Sequence, residues 1–314
     1  MAEKLICVVG PTACGKTKLG VLLAQAYNGE VISCDSMQIY RGMTIGTAAP
    51  TPEETEGIPH HLLAVADPEE SWSAARYVSA ATLVVEDILA RGKRPILVGG
   101  TGLWLDALLR GHGFAPGMAG GVVRAALEAR LEQGGIGPLL EELSRVDPVS
   151  AEKLHPADEK RILRALEVFR ETGQTIAAHN AAERAMPPRF DAVKIGLRFA
   201  DRADMKALID RRVDAMVDAG LLDEVRALLS RGLPRSATSM QAIGYKEFAG
   251  VLAGEKTEGE AVEEVKLRSR QYAKRQLTWL RRDPSVRWIE WEKTRDFVRA
   301  MQISTEILSE EGLF

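Results

Sequence analysis

The amino-acid sequence predicts an α/β fold in which a P-loop-type parallel sheet has helices on both faces and is interrupted by an all-helical insertion domain. Over the first hundred residues, short apolar runs alternate with stretches of helical spacing. A glycine-rich loop joins the first strand to the first helix, and no strand pattern occurs from Val122 to about Ala185. Alternating strands and helices are typical of a parallel sheet that is covered on both faces.

The elements follow in order along the chain. The predicted strands and helices of the first part are Leu5–Val9, Thr17–Tyr27, Val31–Cys34, Ser73–Ala90, Pro95–Val98 and Leu103–Arg110. Glycine-rich residues 111–121 indicate a linker, and strands return at Val193–Leu197 and Val286–Trp291. We therefore expect a core domain of residues 1–112 and 191–314, with a basic C-terminal helical region, and a helical insertion domain of residues 113–190.

Composition limits the class of protein. The 314 residues carry a net charge of −3, so the whole chain has no general attraction to nucleic acid. The three cysteines show no Cys-x-x-Cys spacing, which argues against zinc and disulfides and favours a reducing cytoplasm. No apolar run approaches the roughly 20 residues that span a bilayer, and no signal peptide is expected. Nothing in the sequence requires more than a monomer.

The first loop has the pattern G-x-x-x-x-G-K-T, formed by Gly10, Pro11, Thr12, Ala13, Cys14, Gly15, Lys16 and Thr17. Between a strand and a helix, this pattern predicts a phosphate-binding loop whose backbone N–H groups and helix N-terminus face an anion. Lys16 can bridge two phosphates, and the Thr17 hydroxyl can bind Mg²⁺.

The residues that a nucleotide hydrolase requires are missing from the expected places. The strand at Pro95–Val98 continues as Gly99-Gly100-Thr101-Gly102, without the acid that holds Mg²⁺ and water in such enzymes. The only short apolar run that ends in an acid is Val31–Asp35, which continues as Ser36-Met37-Gln38. We expect the chain to bind a phosphorylated molecule whose diphosphate is a leaving group, although the loop would also tolerate ATP.

Two basic clusters stand out in this acidic chain. Residues 266–287 contain one acid, Asp283, and eight basic residues, with Tyr272 and Trp279 among them. The cluster suggests a nucleic-acid-binding face, but a solvated helix paired with Glu258, Glu260, Glu263 and Glu264 is the alternative. A second cluster, at residues 160–164, fits either nucleic-acid binding or a plain amphipathic helix.

Several segments together resemble the bacterial tRNA dimethylallyltransferases of the IPP transferase family. They follow the family's order over essentially the whole chain and include the phosphate loop, Asp35–Met43, Ile45-Gly46-Thr47, His60-His61-Leu62, Pro95–Gly102, Arg161–Val168, Ile209–Met216, Ile243–Glu247 and Gln271–Arg282. The Asp35–Gln38 and Lys274–Arg281 segments are much more specific than the phosphate loop.

The resemblance implies that an adenine amine attacks dimethylallyl diphosphate and releases diphosphate. Asp35 would act as the general base, Thr101 would lie near the bridging oxygen, and Lys16, with Mg²⁺ on Thr17, would stabilise the leaving group. The alternative for Asp35 is an N-cap or turn residue after its strand, and from the residues alone Thr101 could equally be a helix N-cap.

The resemblance also implies an interface with the anticodon stem-loop of tRNA. The residues expected there are Asp35, Ser36, Met37, Gln38, Thr101, Arg124, Lys160, Arg161, Ile162, Leu163, Arg164, Gln241, Ala242, Ile243, Gly244, Tyr245, Lys246, Lys274, Arg275, Gln276, Leu277, Thr278, Trp279, Leu280 and Arg281. Asp35–Gln38 would grip an adenine flipped out of its stack.

The chain departs from the family at two positions. Cys14 replaces the usual Ser, which predicts thiol sensitivity, and Ala49 replaces a Lys near the mouth of the site. Three other functions remain open: a P-loop small-molecule kinase that consumes ATP, a prenyltransferase that acts on free AMP, and a non-enzymatic RNA-binding module.

Overall fold

A computed structural model describes residues 4–111 and 121–313, without the side chain of Arg184. Most of the predicted glycine-rich linker, residues 112–120, lies outside the described residues. The elements in chain order are β1 (Leu5–Val9), α1 (Lys16–Ala26), β2 (Gly29–Cys34), α2 (Pro52–Thr55), β3 (His60–His61), α3 (Ala74–Ala90), β4 (Arg94–Gly99), α4 (Gly102–Arg110), α5 (Val122–Gly134), α6 (Gly137–Val146), α7 (Pro148–Ala151), α8 (Glu159–Thr172), α9 (Ile176–Ala185), β5 (Ala192–Phe199), α10 (Arg202–Asp218), α11 (Leu221–Ser230), a 3₁₀ turn (Ser239–Gln241), α12 (Tyr245–Leu252), α13 (Glu258–Leu280), β6 (Val286–Trp291) and α14 (Phe297–Glu310).

The strands form one parallel six-stranded sheet in the order β3-β2-β4-β1-β5-β6. The central strand β1 pairs with β4 and β5 and is buried along its whole length, because both faces of the sheet are covered. The predicted fold class is therefore confirmed. All the predicted strands are present, with ends that shift by at most two residues.

Side chains alternate between two hydrophobic layers along β1. Leu5, Cys7 and Val9 pack on the face that α3, α4, α11 and α12 cover. Ile6 and Val8 pack on the opposite face, against α1 and α14. This alternation follows from the period of two in a strand, so β1 contributes side chains to both layers.

The chain divides into two compact units. One comprises Met1–Leu109 and Arg189–Phe314 and contains the sheet, and the other comprises Arg110–Pro188. In its described part, the second unit is all helical (α5–α9) and has its own apolar core, formed by Leu127, Leu139, Leu143, Ile162, Leu163, Ala165 and Leu166.

The sequence interpretation missed two short elements, α2 and β3. Neither is long enough to show a periodicity. β3 adds His60 and His61 to the edge of the sheet, where His61 Nε2 lies 2.7 Å from a carboxylate oxygen of Glu30.

No helix in residues 4–111 and 121–313 combines the length and the apolar character that a membrane span requires.

Glu30, at the start of β2, is the most heavily paired buried acid of the sheet. It is 2 % exposed and accepts hydrogen bonds from Arg91, at 2.5 and 2.7 Å, and from Lys93, at 2.7 Å. The hydrogen bonds from Arg91, with smaller contributions from Lys93 and His61, hold the pKa of the Glu30 carboxyl well below its ordinary range.

We expect Glu30→Gln to lower the free energy of unfolding by about 1–3 kcal/mol at pH 7, because it removes the acid that three partly exposed basic groups share. Since the folded-state pKa lies below the ordinary value of about 4.3, the contribution is full above that pH and is lost as the pH falls further. Urea unfolding at pH 7 and pH 3.5 measures both effects. The exposed control Asp87→Asn should cost less than about 0.5 kcal/mol. An equal loss in the two variants, or a Glu30→Gln effect that grows in acid, would contradict this account.

Candidate active site

The phosphate loop joins β1 to α1 at the carboxyl edge of the sheet. Gly10 has a φ of +151°, and a Cβ there would lie 2.5 Å from the Leu197 carbonyl oxygen. Gly15 has a φ of +90°, and its Cβ would lie 2.8 Å from the ring of Phe297. Only glycine meets both demands, because each position combines positive φ with close packing. Lys16 Nζ donates to the Pro11 carbonyl across the loop, at 2.7 Å.

The loops after β2 and β4 meet beside the phosphate loop, since these strands are neighbours. The Met37 and Gln38 N–H groups donate to Asp35 Oδ1, at 2.9 and 3.4 Å. The Ser36 N–H donates to Thr101 Oγ1, at 3.1 Å. Asp35 therefore forms the turn that the sequence left open for it, while Oδ2 has no hydrogen-bond partner among the described residues.

A guanidinium that the sequence interpretation did not assign faces this region. Arg212, on α10, donates to Thr12 Oγ1 at 3.2 Å. Burial lowers the pKa of Arg212 and the nearby Asp35 charge raises it, while the group stays charged at any ordinary pH. Arg295 is exposed after β6, and its side chain packs against Gly15. Both arginines are far from the loop in sequence. The only sequence signal for Arg212 is its place within the segment Ile209–Met216, which resembles the family.

Helix α13 contributes two side chains to the same edge. Gln276 is 5 % exposed and accepts from the Thr12 N–H at 2.9 Å, while its Nε2 donates to the Gly100 carbonyl at 3.0 Å. Burial raises the pKa of the Tyr272 hydroxyl, while its interaction with the side chain of Thr101 acts in the opposite direction.

The loop at residues 43–48 closes the other side. Gln38 Nε2 donates to the Ala48 carbonyl at 3.1 Å and to that of Thr47 at 3.3 Å. Glu224 accepts from the N–H groups of residues 44–46, and Tyr245 donates its hydroxyl to the same carboxylate at 2.5 Å. Tyr245 is fully buried, so it supports this loop from inside.

Fourteen of the residues expected to contact RNA fall into three groups. The first group has buried side chains, which belong to the cores of their units or, for Gln276, bridge two loops. These side chains are therefore not available to RNA. The group comprises Ile162, Leu163, Ala242, Tyr245, Gln276 and Leu280. Those paired with an acid are Arg124 with Glu128, Arg161 with Asp158, and Arg164 with Glu167. Exposed cations without an ion pair, within the part of the chain described, are Lys160, Lys246, Lys274, Arg275 and Arg281.

Helix α13 divides into two halves by charge. In its first half, Lys266 pairs with Asp214, Arg268 with Glu264, and Arg270 with Asp210. Near its C-terminal end the exposed cations at positions 274, 275, 281 and 282 have no acidic partner in residues 4–111 and 121–313. The solvated-helix alternative thus describes the first half only, and the unpaired end keeps a positive surface.

Trp279 lies within this positive end. It is 38 % exposed, donates Nε1 to Asp106 at 2.8 Å, and packs its ring on Gly102, where a Cβ would come within 2.3 Å. The ring therefore anchors the end of α13 to the start of α4, next to the turn that carries Thr101.

Together, the fold and this edge define a P-loop-type enzyme that holds a carboxylate and a hydroxyl beside its phosphate loop. The family described as IPP transferase matches residues 38–283. The chain is 46 % identical to a tRNA dimethylallyltransferase of Halalkalibacterium halodurans over 290 residues, 92 % of each chain. A relative of the same name in Geobacter sulfurreducens is 44 % identical over 295 residues, 94 % of each chain. The chain therefore belongs to the IPP transferase family.

Solved structures agree with this assignment. The crystal structure of a tRNA isopentenylpyrophosphate transferase from Bacillus halodurans matches with a TM-score of 0.74 and 43 % identity, over 98 % of this chain and 96 % of that one. A eukaryotic dimethylallyltransferase acting on tRNA matches with a TM-score of 0.83 and 30 % identity, over 98 % of this chain and 80 % of that one. The resemblance seen in the sequence is confirmed.

The thiol sensitivity expected from Cys14 conflicts with its burial. Cys7 and Cys14 are 0 % exposed and Cys34 is 2 % exposed. Burial raises the pKa of Cys7 to about 12 and raises the pKa of Cys14 and Cys34 as well. The thiolate is the reactive form, so all three should be inert in the folded protein.

We expect the native protein at pH 8 to react with a thiol reagent about 100-fold or more slowly than the unfolded chain, because the thiolate fraction falls tenfold for each unit of pKa. Titration with 5,5′-dithiobis(2-nitrobenzoate), with and without denaturant, measures this difference. Fast reaction of a native thiol that disappears in Cys14→Ser would restore the original expectation.

Proposed function

We propose that this protein is a tRNA dimethylallyltransferase, which transfers the dimethylallyl group of dimethylallyl diphosphate to the N6 amine of the adenine 3′ to the anticodon and releases diphosphate. The observation that carries the proposal is the meeting of Asp35 and Thr101 beside the phosphate loop. This edge offers a base and a hydroxyl, as expected for transfer to an amine. The names of the relatives support the same activity.

The phosphate loop would hold the diphosphate through backbone N–H groups and the N-terminus of α1. As the allylic C–O bond breaks, negative charge grows on the leaving diphosphate. Lys16 would turn from the Pro11 carbonyl to the phosphates, and Arg212 already lies against Thr12 on the same loop. Fixed cations at this point stabilise the transition state more than the ground state.

Asp35 would bind the attacking adenine. Its Oδ1 is fixed by two backbone N–H groups, so the carboxylate has a defined orientation and offers Oδ2 to the N6 amine. The nitrogen forms the new bond to C1 of the donor, the bond from C1 to the bridging oxygen breaks, and the amine proton passes to Asp35. The Thr101 hydroxyl would hydrogen-bond the bridging oxygen.

The chemistry of this edge fits Mg²⁺ that is bound mainly through the substrate. The Thr17 hydroxyl has no hydrogen-bond partner in the described chain and is half-buried at the start of α1. The described residues contain no group of three or more His, Cys, Asp or Glu placed to hold a metal ion, and Mg²⁺ often takes few protein ligands beside phosphates. Bound by Thr17 and the diphosphate, Mg²⁺ would neutralise charge on the leaving group.

The unpaired C-terminal end of α13 supports the choice of RNA as the acceptor. Among the described residues, Lys274, Arg275 and Arg281 have no acidic partner, so they offer the positive charge that phosphate contacts require. Free cysteines fit a reducing compartment such as the cytoplasm.

We expect Asp35→Asn to lower kcat for transfer by about 10²–10⁴-fold, because the amide keeps the hydrogen bonds of the turn but cannot take the proton. The measurement is transfer of labelled dimethylallyl, with Mg²⁺, into unmodified tRNA, an anticodon stem-loop or AMP. RNA affinity serves as the control and should stay within about threefold of the wild type, since one neutralised acid leaves the basic face intact.

Each alternative function gives a different pattern in this assay. Label only in AMP would indicate a free-nucleotide prenyltransferase. ATP turnover without transfer would indicate a kinase, and RNA binding without either reaction would indicate a binding module. Undiminished transfer by Asp35→Asn would remove Asp35 from the role of general base.

We expect Arg281→Gln to weaken binding of the anticodon stem-loop and to reduce the slope of log K against log salt by about 1, because it removes one phosphate contact. The matched control Arg268→Gln, on the same helix but paired with Glu264, should leave both quantities nearly unchanged. Filter binding from 50 to 300 mM salt measures them. Equal effects of the two substitutions would contradict the division of α13 by charge.

A further inference from the structure

Gln276 connects two loops that the sheet itself does not connect. The hydrogen-bonded ladder of β1 and β4 ends at the pair Val9 and Gly99. Beyond it, the amide of Gln276 bridges the Thr12 N–H, at 2.9 Å, and the Gly100 carbonyl, at 3.0 Å. A Cβ on residue 100 would lie 2.1 Å from Gln276 Nε2, so this bridge also requires the glycine.

The two loops hold different parts of the reaction. The phosphate loop surrounds the site for the diphosphate and includes Thr12, which accepts from Arg212. Gly100 immediately precedes Thr101, whose hydroxyl is aimed at the bridging oxygen in the proposed mechanism. The distance between the phosphates and that hydroxyl therefore depends on how the two loops are held together, and a shift of about 1 Å in such geometry can cost 10²-fold in rate.

The same residue lies between the exposed cations of α13. Lys274, Arg275 and Arg281 face solvent, whereas Gln276 is 5 % exposed and points into the sheet edge. Its amide already has a donor and an acceptor within the protein, and its burial leaves no side-chain surface for RNA.

We propose that Gln276 is a positioning residue for the transfer step, which holds the phosphate loop and the Gly100–Thr101 turn at their working separation, and that it does not contact RNA. The inference deepens the proposed function and rests on it, because the transfer reaction supplies the kinetic readout.

The test compares Gln276→Met with Arg281→Gln in the full-length protein. Methionine has a similar length and volume but makes neither hydrogen bond, so little cavity is created. We expect Gln276→Met to lower kcat about 10- to 100-fold, with RNA affinity within about twofold of the wild type. Arg281→Gln should instead weaken RNA binding, while the control Arg268→Gln, whose guanidinium is paired with Glu264, should leave both kcat and RNA affinity nearly unchanged.

A second variant, Gln276→Glu, separates the two hydrogen bonds. A carboxylate still accepts from the Thr12 N–H, but it cannot donate to Gly100 and adds a negative charge beside the diphosphate site. We expect its KM for dimethylallyl diphosphate to exceed that of Gln276→Met, because the charge repels the donor.

Three results would overturn the proposal. They are a kcat for Gln276→Met within about twofold of the wild type, a loss confined to RNA affinity, and a parallel loss of kcat, RNA affinity and melting temperature, which would indicate a general structural role. Failure of the proposed function is distinguishable, since the wild-type protein would then transfer no label to RNA at all.

Discussion

A closed circuit of hydrogen bonds at the carboxyl edge of the sheet is the constraint on which the site depends. From Thr12, the circuit passes through Gln276 to Gly100, and from the adjacent Thr101 to Ser36. The Asp35 carboxylate then accepts from the Gln38 N–H, and the Gln38 side chain donates to the Ala48 carbonyl. Arg212 closes the circuit, because it donates both to the Ala48 carbonyl and to Thr12. Because β1, β2 and β4 are parallel neighbours, their following loops begin at one edge, and the circuit turns that proximity into a fixed geometry.

The sheet also explains the kind of chemistry that this edge can support. β4 ends in Gly99 and leads into Gly100 and Thr101, so the position where a hydrolase holds an acid for Mg²⁺ and water carries a hydroxyl instead. The carboxylate comes from the next strand, β2, and its turn fixes one oxygen while leaving the other for a ligand. A phosphate loop with this pair beside it suits transfer of a carbon group to an incoming amine as diphosphate leaves.

Helix α13 joins the chemistry to the surface. Its first half is neutralised by Asp210, Asp214 and Glu264, so it packs on the core without excess charge. Its last turns place Gln276 inside the edge of the sheet and basic side chains in solvent. One helix therefore touches both the phosphate loop and the surface proposed for RNA, since residues one, two or five positions apart on a helix point to different sides.

The sequence by itself determined the fold class, the strands β1, β2, β4, β5 and β6, the phosphate loop and the family, because apolar periodicity, glycine spacing and contiguous motifs are local properties. It also brought forward Asp35, which directly follows a strand, and Thr101, whose role came from the resemblance to the family. Only the tertiary structure decided which cations are unpaired, that Cys14 and Tyr245 are buried, and that Arg212 and Gln276 reach the phosphate loop from about 200 and 264 positions away. Contacts at such separations arise from packing and the pairing of charges across elements, and no local pattern in the chain encodes them.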